Sequence, residues 1–164
     1  MEEVGGGKRL VAYFSASGVT ARAARSLAQV AGADLFEIVP EEPYTAADLD
    51  WRNRRSRSSL EEKDPSARPA VGGRVDNMDA YDTVFVGFPI WWGHEPAIVD
   101  TFLEQYDLSG KTVVPFATSG GSGAGGSDRR LRTACPTAGE LLPVKLVNGM
   151  GEGALGTWAA SVAR

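Results

Sequence analysis

The 164-residue chain has one cysteine and one histidine. A single thiol, Cys135, cannot build an intramolecular disulfide framework or a cysteine-based metal cluster. Its place in Leu131–Pro136, near the end of an expected helix, reads as a buried inert thiol rather than a nucleophile. A lone His94 argues against a histidine-rich metal centre. No uninterrupted apolar run approaches the ~20 residues that a bilayer span needs, so no membrane insertion is expected. The opening stretch, Met1–Lys8, is acidic and glycine-rich and lacks the apolar segment of a signal peptide. Residues 1–7 read as a flexible tail and the expected location is cytoplasmic. The formal net charge of −4 disfavours nucleic acid as a partner and suits a protein with a basic docking face.

Apolar residues make up 43% of the chain, enough for a core, and the length fits one domain over residues 1–164. Residues 8–14 form an apolar first strand, buried on both faces as in a parallel sheet. A helix over 19–31 follows and ends at Gly32. Asp34–Val39 alternates like an edge strand. A helical stretch is expected from Tyr44 to about Lys63, carrying Arg52, Arg54, Arg55 and Arg57. Those arginines read as a solvated helix face, with a basic patch for a nucleotide phosphate or acidic partner as the alternative. Residues 64–73 are loop-like. Thr83–Phe88 is the third strand, and Glu95–Pro96 opens a helix to about Tyr106. Lys111–Ala117 is the fourth strand. Ser127–Asp128 caps a helix reaching Cys135. Residues 141–147 form a fifth strand, broken at Pro143, and residues 153–163 a closing helix. Strands alternating with helices predict an α/β fold: a three-layer sandwich with a parallel five-stranded sheet and helices on both faces.

In such a sheet, ligands sit at the carboxyl ends of the strands, where the strand order reverses. With order 2-1-3-4-5, the loops after strands one, three and four are neighbours. The first, Ser15–Thr20, is hydroxyl-rich and enters a helix N-terminus. That position offers unpaired amides and a positive dipole end. Alone, it reads equally as a phosphate cradle or as an ordinary serine-capped turn. It contains no Lys or Arg, so any cradle there is made of neutral donors. The second, Pro89–Ile90–Trp91–Trp92–Gly93, places two aromatics side by side. Either one packs between helices while the other caps the sheet, or at least one lines a flat ligand. The third, Thr118–Gly126, contains Gly121–Gly126, which matches G-x-G-x-x-G. Its place after the fourth strand argues against a dinucleotide fingerprint. Its glycines suit backbone amides lying along the polar edge of a ring.

These three loops in this order resemble the flavodoxin family, in its bacterial branch with a P-x-W-W-G loop, and the resemblance covers nearly the whole chain. It implies a flavodoxin-like fold binding one FMN non-covalently. Ser15, Ser17, Gly18, Val19 and Thr20 would hold the phosphate. Pro89, Ile90, Trp91, Trp92 and Gly93 would lie against the ring system, with Thr118, Ser119, Gly120, Gly121, Ser122 and Gly123 along its pyrimidine side. The family's loop usually reads Thr-Gly-Asn-Thr where this chain has Ser17–Gly18–Val19–Thr20. Losing that side-chain amide costs about 0.5–1.5 kcal/mol, a factor of about ten in affinity at the upper end.

The resemblance implies electron transfer at low potential between protein partners, a reductase and an acceptor, by a monomer or weak dimer. A backbone carbonyl near Trp92–Gly93 could turn toward the ring, which Gly93 would permit. The ranked alternative is an NAD(P)H-dependent FMN oxidoreductase acting on quinones or similar acceptors. In it His94 would donate a proton or anchor substrate; otherwise His94 is a helix-capping or surface residue. A third reading keeps the fold without the cofactor, with Val19 as its support.

Overall fold

The computed structural model describes residues 8–119, 123 and 125–162. The first strand β1, Lys8–Tyr13, is central and pairs in parallel with β2, Asp34–Glu37, on one side and β3, Tyr81–Pro89, on the other. Beyond β3 lies β4, Thr112–Thr118. Two short segments, β5 (Glu140–Leu141) and β6 (Lys145–Leu146), both pair in parallel with β4, so the last strand is split around Pro143 as expected. The sheet order is β2-β1-β3-β4-β5.

Alternation along β1 explains why the core is double. Leu10, Ala12 and Phe14 enter one buried cluster, while Val11 and Tyr13 enter the other. On the first side the cover is α3, Ala97–Glu104, and α4, Ser127–Ala134, through Ile98, Val99, Phe102, Leu103, Leu131 and Ala134. On the second it is α1, Val19–Ala31, and α5, Glu152–Val162, through Ala24, Leu27, Leu155 and Ala159. Strands covered on both faces must be apolar along the covered stretch, as β3 is from Val84 to Phe88 and β4 from Val113 to Ala117. Cys135 is buried and its thiol is pushed up to about 11 by burial, fitting the inert reading.

Three local expectations are corrected. The helix expected from Tyr44 to Lys63 is confined to α2, Arg57–Lys63. Residues 45–56 form successive turns instead, with Asp48 Oδ2 accepting from the Thr45 amide and Asn53 Oδ1 from the Arg55 amide. Short polar side chains offer the backbone local partners that compete with helix. Consequently Arg52, Arg54 and Arg55 do not share a helix face, and Arg57 alone of the four lies within α2. Second, Ser127 does not cap α4: Gly126 occupies the cap position, and the Ser127 hydroxyl is fully buried inside the first turn. Third, Pro96 is the cap residue of α3 rather than its first-turn proline. No helix among the described residues is long and apolar enough to cross a membrane.

Candidate functional site

The carboxyl ends of β1, β3 and β4 bring the three loops together through direct hydrogen bonds. Thr20 and Thr118, both buried, share one at 2.7 Å, tying the first loop to the third. The Ile90 amide donates to the Thr118 carbonyl at 2.9 Å, and the Gly126 amide to the Gly93 carbonyl at 3.1 Å, tying the second loop to the third.

In the first loop, Ser15 Oγ accepts from the amides of Gly18 and Ala21, each at 3.1 Å. Ser15 thus shapes the turn from within. Gly18 caps α1 with φ +95°, a left-handed conformation that explains a glycine there. The Val19 and Thr20 amides, the remaining first-turn donors, bond to nothing among the described residues. Ser17, two residues before Val19, is exposed. The loop is not as neutral as its sequence: the Arg22 guanidinium folds back to 3.6 Å from the position a Cβ on Gly18 would take. Arg22 comes from the next turn of α1, outside the motif, which is why the linear reading missed it.

The second loop is a two-residue reverse turn. The Trp91 amide donates to the His94 carbonyl at 2.9 Å, and the His94 amide donates back to Trp91 at 3.2 Å. Between them Trp92 and Gly93 have φ of 53° and 81°. This geometry demands positive φ at both central residues and strongly favours Asn or Gly. A tryptophan there is strained by roughly 1–3 kcal/mol. The two tryptophans differ in their surroundings, and neither packs between helices or caps the sheet. Trp91 is half-buried, meeting Phe14 and Tyr44 edge-on at ring distances of 5.6 Å. Trp92 is 42% exposed. Both line a pocket of about 360 Å³ with Ala16, Ser17, Pro89 and Ile90.

The same pocket has walls that the sequence did not advertise: Leu49, Trp51 and Ser58, all from the irregular segment before or within α2. Ser58 is buried, and its hydroxyl has no hydrogen-bond partner among the described residues. Trp51 is 67% exposed and could have been flagged as a third aromatic in a polar stretch.

Beneath the turn, His94 neither caps a helix nor lies on the surface. It is half-buried, with Nδ1 2.8 Å from the Glu95 carbonyl and Nε2 3.7 Å from Glu62. Glu95 is fully buried and Arg130 of α4 bridges it to Asp100, at 3.3 and 3.6 Å. Burial, then Asp100, pushes the Glu95 carboxyl up to about 9. Burial raises Asp100 too. One oxygen of each carboxylate lacks a donor, an arrangement that a proton shared between the two acids satisfies.

In the third loop, Ser119 is held from both sides by Asn148: its amide donates to Asn148 Oδ1 and its carbonyl accepts from Asn148 Nδ2, each at 2.8 Å. Asn148 was not singled out by sequence, because it follows a strand fragment twenty-nine residues downstream. Gly123 is exposed with open space around it. Gly120, Gly121 and Ser122 lie outside the described residues. Among the described residues no cluster of acidic, His or Cys side chains could hold a metal ion.

This geometry agrees with the comparisons to known proteins. The family model described as flavodoxin matches residues 8–162, and the chain belongs to the flavodoxin family. It is similar to a provisionally assigned flavoprotein from Bacteroides eggerthii, with 50% identity over 95% of this chain and 98% of that one and a TM-score of 0.89. Its fold is also that of a flavoprotein solved with FMN from Lactobacillus acidophilus, at 21% identity, 85% and 93% coverage and a TM-score of 0.70. An NADH:FMN oxidoreductase in its apo form shares the fold at 20% identity, 95% and 90% coverage and a TM-score of 0.57. No curated protein matches.

Proposed function

We propose that this chain is an FMN-binding electron carrier. The observation that carries the reading is a site with two unlike ends, suited to a ligand with an anionic tail and a flat head. The free Val19 and Thr20 amides, the Ser17 hydroxyl and the nearby Arg22 guanidinium suit the phosphate. Ser15 and Gly18 hold that turn in shape, and Arg22 supplies a charge beside the position where Val19 lacks an amide side chain. The apolar pocket lined by Trp91 and Trp92 suits a flavin ring. Thr118 to Gly123 would follow the ring's pyrimidine edge, anchored by Asn148. FMN, when bound, supplies the one-electron redox chemistry, and no catalytic side chain is required. The Gly93 carbonyl is pinned by Gly126, so a rotation of the Trp92–Gly93 peptide would leave the tie between the loops intact. The partners on this reading are a reductase and an acceptor protein, met in the cytoplasm by a monomer or weak dimer.

Titration of purified protein with FMN, followed by flavin absorbance and tryptophan quenching, is expected to saturate at one equivalent. Two well-separated one-electron steps in a redox titration support the carrier. Protein that stays colourless after FMN addition would leave only the cofactor-free module. The second reading, an NAD(P)H-dependent oxidoreductase, gains support from Trp92, which stands open at the pocket mouth. Steady NAD(P)H oxidation with a quinone and no added reductase would establish it.

A further inference from the structure

A groove of about 530 Å³ runs beside the flavin pocket, lined by Trp51, Arg52, Arg54, Lys63 and Trp92, with Ser59 and Glu62. It shares Trp51 and Trp92 with that pocket. The volume is that of a small-molecule site. We infer that this groove binds a nucleotide, its base against Trp51 and Trp92 and its phosphates on Arg52, Arg54 and Lys63.

The charge arrangement points to an anion. The chain is acidic overall, yet this wall is basic. Of the carboxylates nearby, two are ion-paired, and of the other two only Glu62 lines the groove. Asp48 and Glu61 pair with Arg57, Asp50 accepts from the Arg52 amide, and Glu62 faces His94. Arg52, Arg54 and Lys63 have no carboxylate partner among the described residues. Three cations against the single carboxylate of Glu62 leave the wall net positive and favour an anion. The aromatic arrangement points to a flat ring. Trp51 is among the most exposed large apolar side chains, and the Arg52 guanidinium lies 5.4 Å over its ring. An indole stiffened by a cation on one face presents the other to a planar base. An acidic protein surface would use the cations but would not need the concavity or the indoles. The groove therefore favours a nucleotide over a docking protein.

The inference borrows the neighbouring flavin pocket for its location but not for its binding chemistry. It is tested with ADP as probe, titrated at low salt by calorimetry into FMN-free and FMN-saturated protein. Saturable binding in both is expected. The surface variant R52S/R54S/K63S is expected to weaken ADP about tenfold or more, with FMN affinity unchanged. W51A is expected to weaken ADP about fivefold or more while leaving tripolyphosphate binding unchanged. Circular dichroism of each variant should match the parent. The inference is overturned if ADP fails to bind FMN-free and FMN-saturated protein alike, or if the triple variant binds it equally well. Tripolyphosphate binding as tightly as ADP, with W51A neutral, would make the groove a plain anion patch and also overturn it. So would saturation by polyaspartate but not ADP, which would mark a protein-docking surface. Loss of FMN binding with ADP binding intact would sink the flavin reading alone.

Discussion

The two ends of the site are built in opposite ways. At the cradle end, hydrogen bonds from inside the protein hold the turn in shape, with the Val19 and Thr20 amides left over among the described residues, and the left-handed residue of the turn is a glycine. Ser15 satisfies two amides, Thr20 and Thr118 satisfy each other, and Asn148 clamps Ser119. At the aromatic end, a tryptophan occupies a left-handed position, a buried serine hydroxyl goes unpaired and a buried acid pair needs a proton. The first end is a relaxed turn. The second concentrates strain and buried polar groups, the pattern that occurs where strain serves function.

Substitutions can break this contrast, and the largest effect is expected at the junction. Trp91→Ala removes the half-buried indole on which Phe14 and Tyr44 pack. It is expected to cost about 3 kcal/mol of stability in denaturant melts, along with most FMN affinity. At the cradle end, Thr20→Val leaves Thr118 buried without its partner and should cost ~1–3 kcal/mol, read in the same melts. Stability that rises or stays level would mean the cradle is not as well satisfied as its hydrogen bonds suggest.

The acid pair sharpens the contrast through pH. Glu95 keeps its proton up to about 9 in the folded chain, whereas a free glutamate loses it near 4.5. The folded state therefore binds more protons between those values. Glu95's contribution is full below 4.5 and is lost as pH rises through about 9, so stability should fall toward alkaline pH. The slope is bounded by the ~1.4 kcal/mol per pH unit of one full proton. Asp100, raised in the same direction, adds to this sign. Glu95→Gln carries a neutral group at every pH, and urea midpoints from pH 5 to 9 should flatten in that variant. Smallest is Trp92→Gly, which relieves the left-handed strain and should raise stability by roughly 1 kcal/mol while weakening FMN binding. Opposite signs at Thr20 and Trp92 are the clearest test of the contrast.

Legibility differed along the same line. The cradle was readable because a strand, a hydroxyl-rich turn and a helix are contiguous, and all its backbone donors come from six neighbouring residues. Coverage on both faces was readable because the middles of β1, β3 and β4 are apolar, whereas the strand order was what the family resemblance implied. The segment 44–63 was not. Its polar residues have helix-compatible composition, but Asp48 and Asn53 spend their side chains on local turns, and Ser56 caps α2, which fixes where the helix begins. That choice puts Trp51 over the pocket and scatters the arginines. His94 was misjudged for a similar reason: nothing near it in sequence foretells that Glu62 of α2 would face it.

What the sequence alone determined is the layered architecture, the positions of the three loops and the family to which they belong. The architecture follows from local periodicity and from covering the central strands on both faces, and the family from the three loop motifs in their order. Only the tertiary structure decided that Arg22 would charge a cradle that looked neutral, that Asn148 would clamp the glycine loop, and that Ser58 and Trp51 would wall the pocket. Each of those depends on side chains distant in sequence, or on a helix turn closing back, meeting across space. Contacts of that kind are set by packing of whole elements, which no short stretch of sequence encodes.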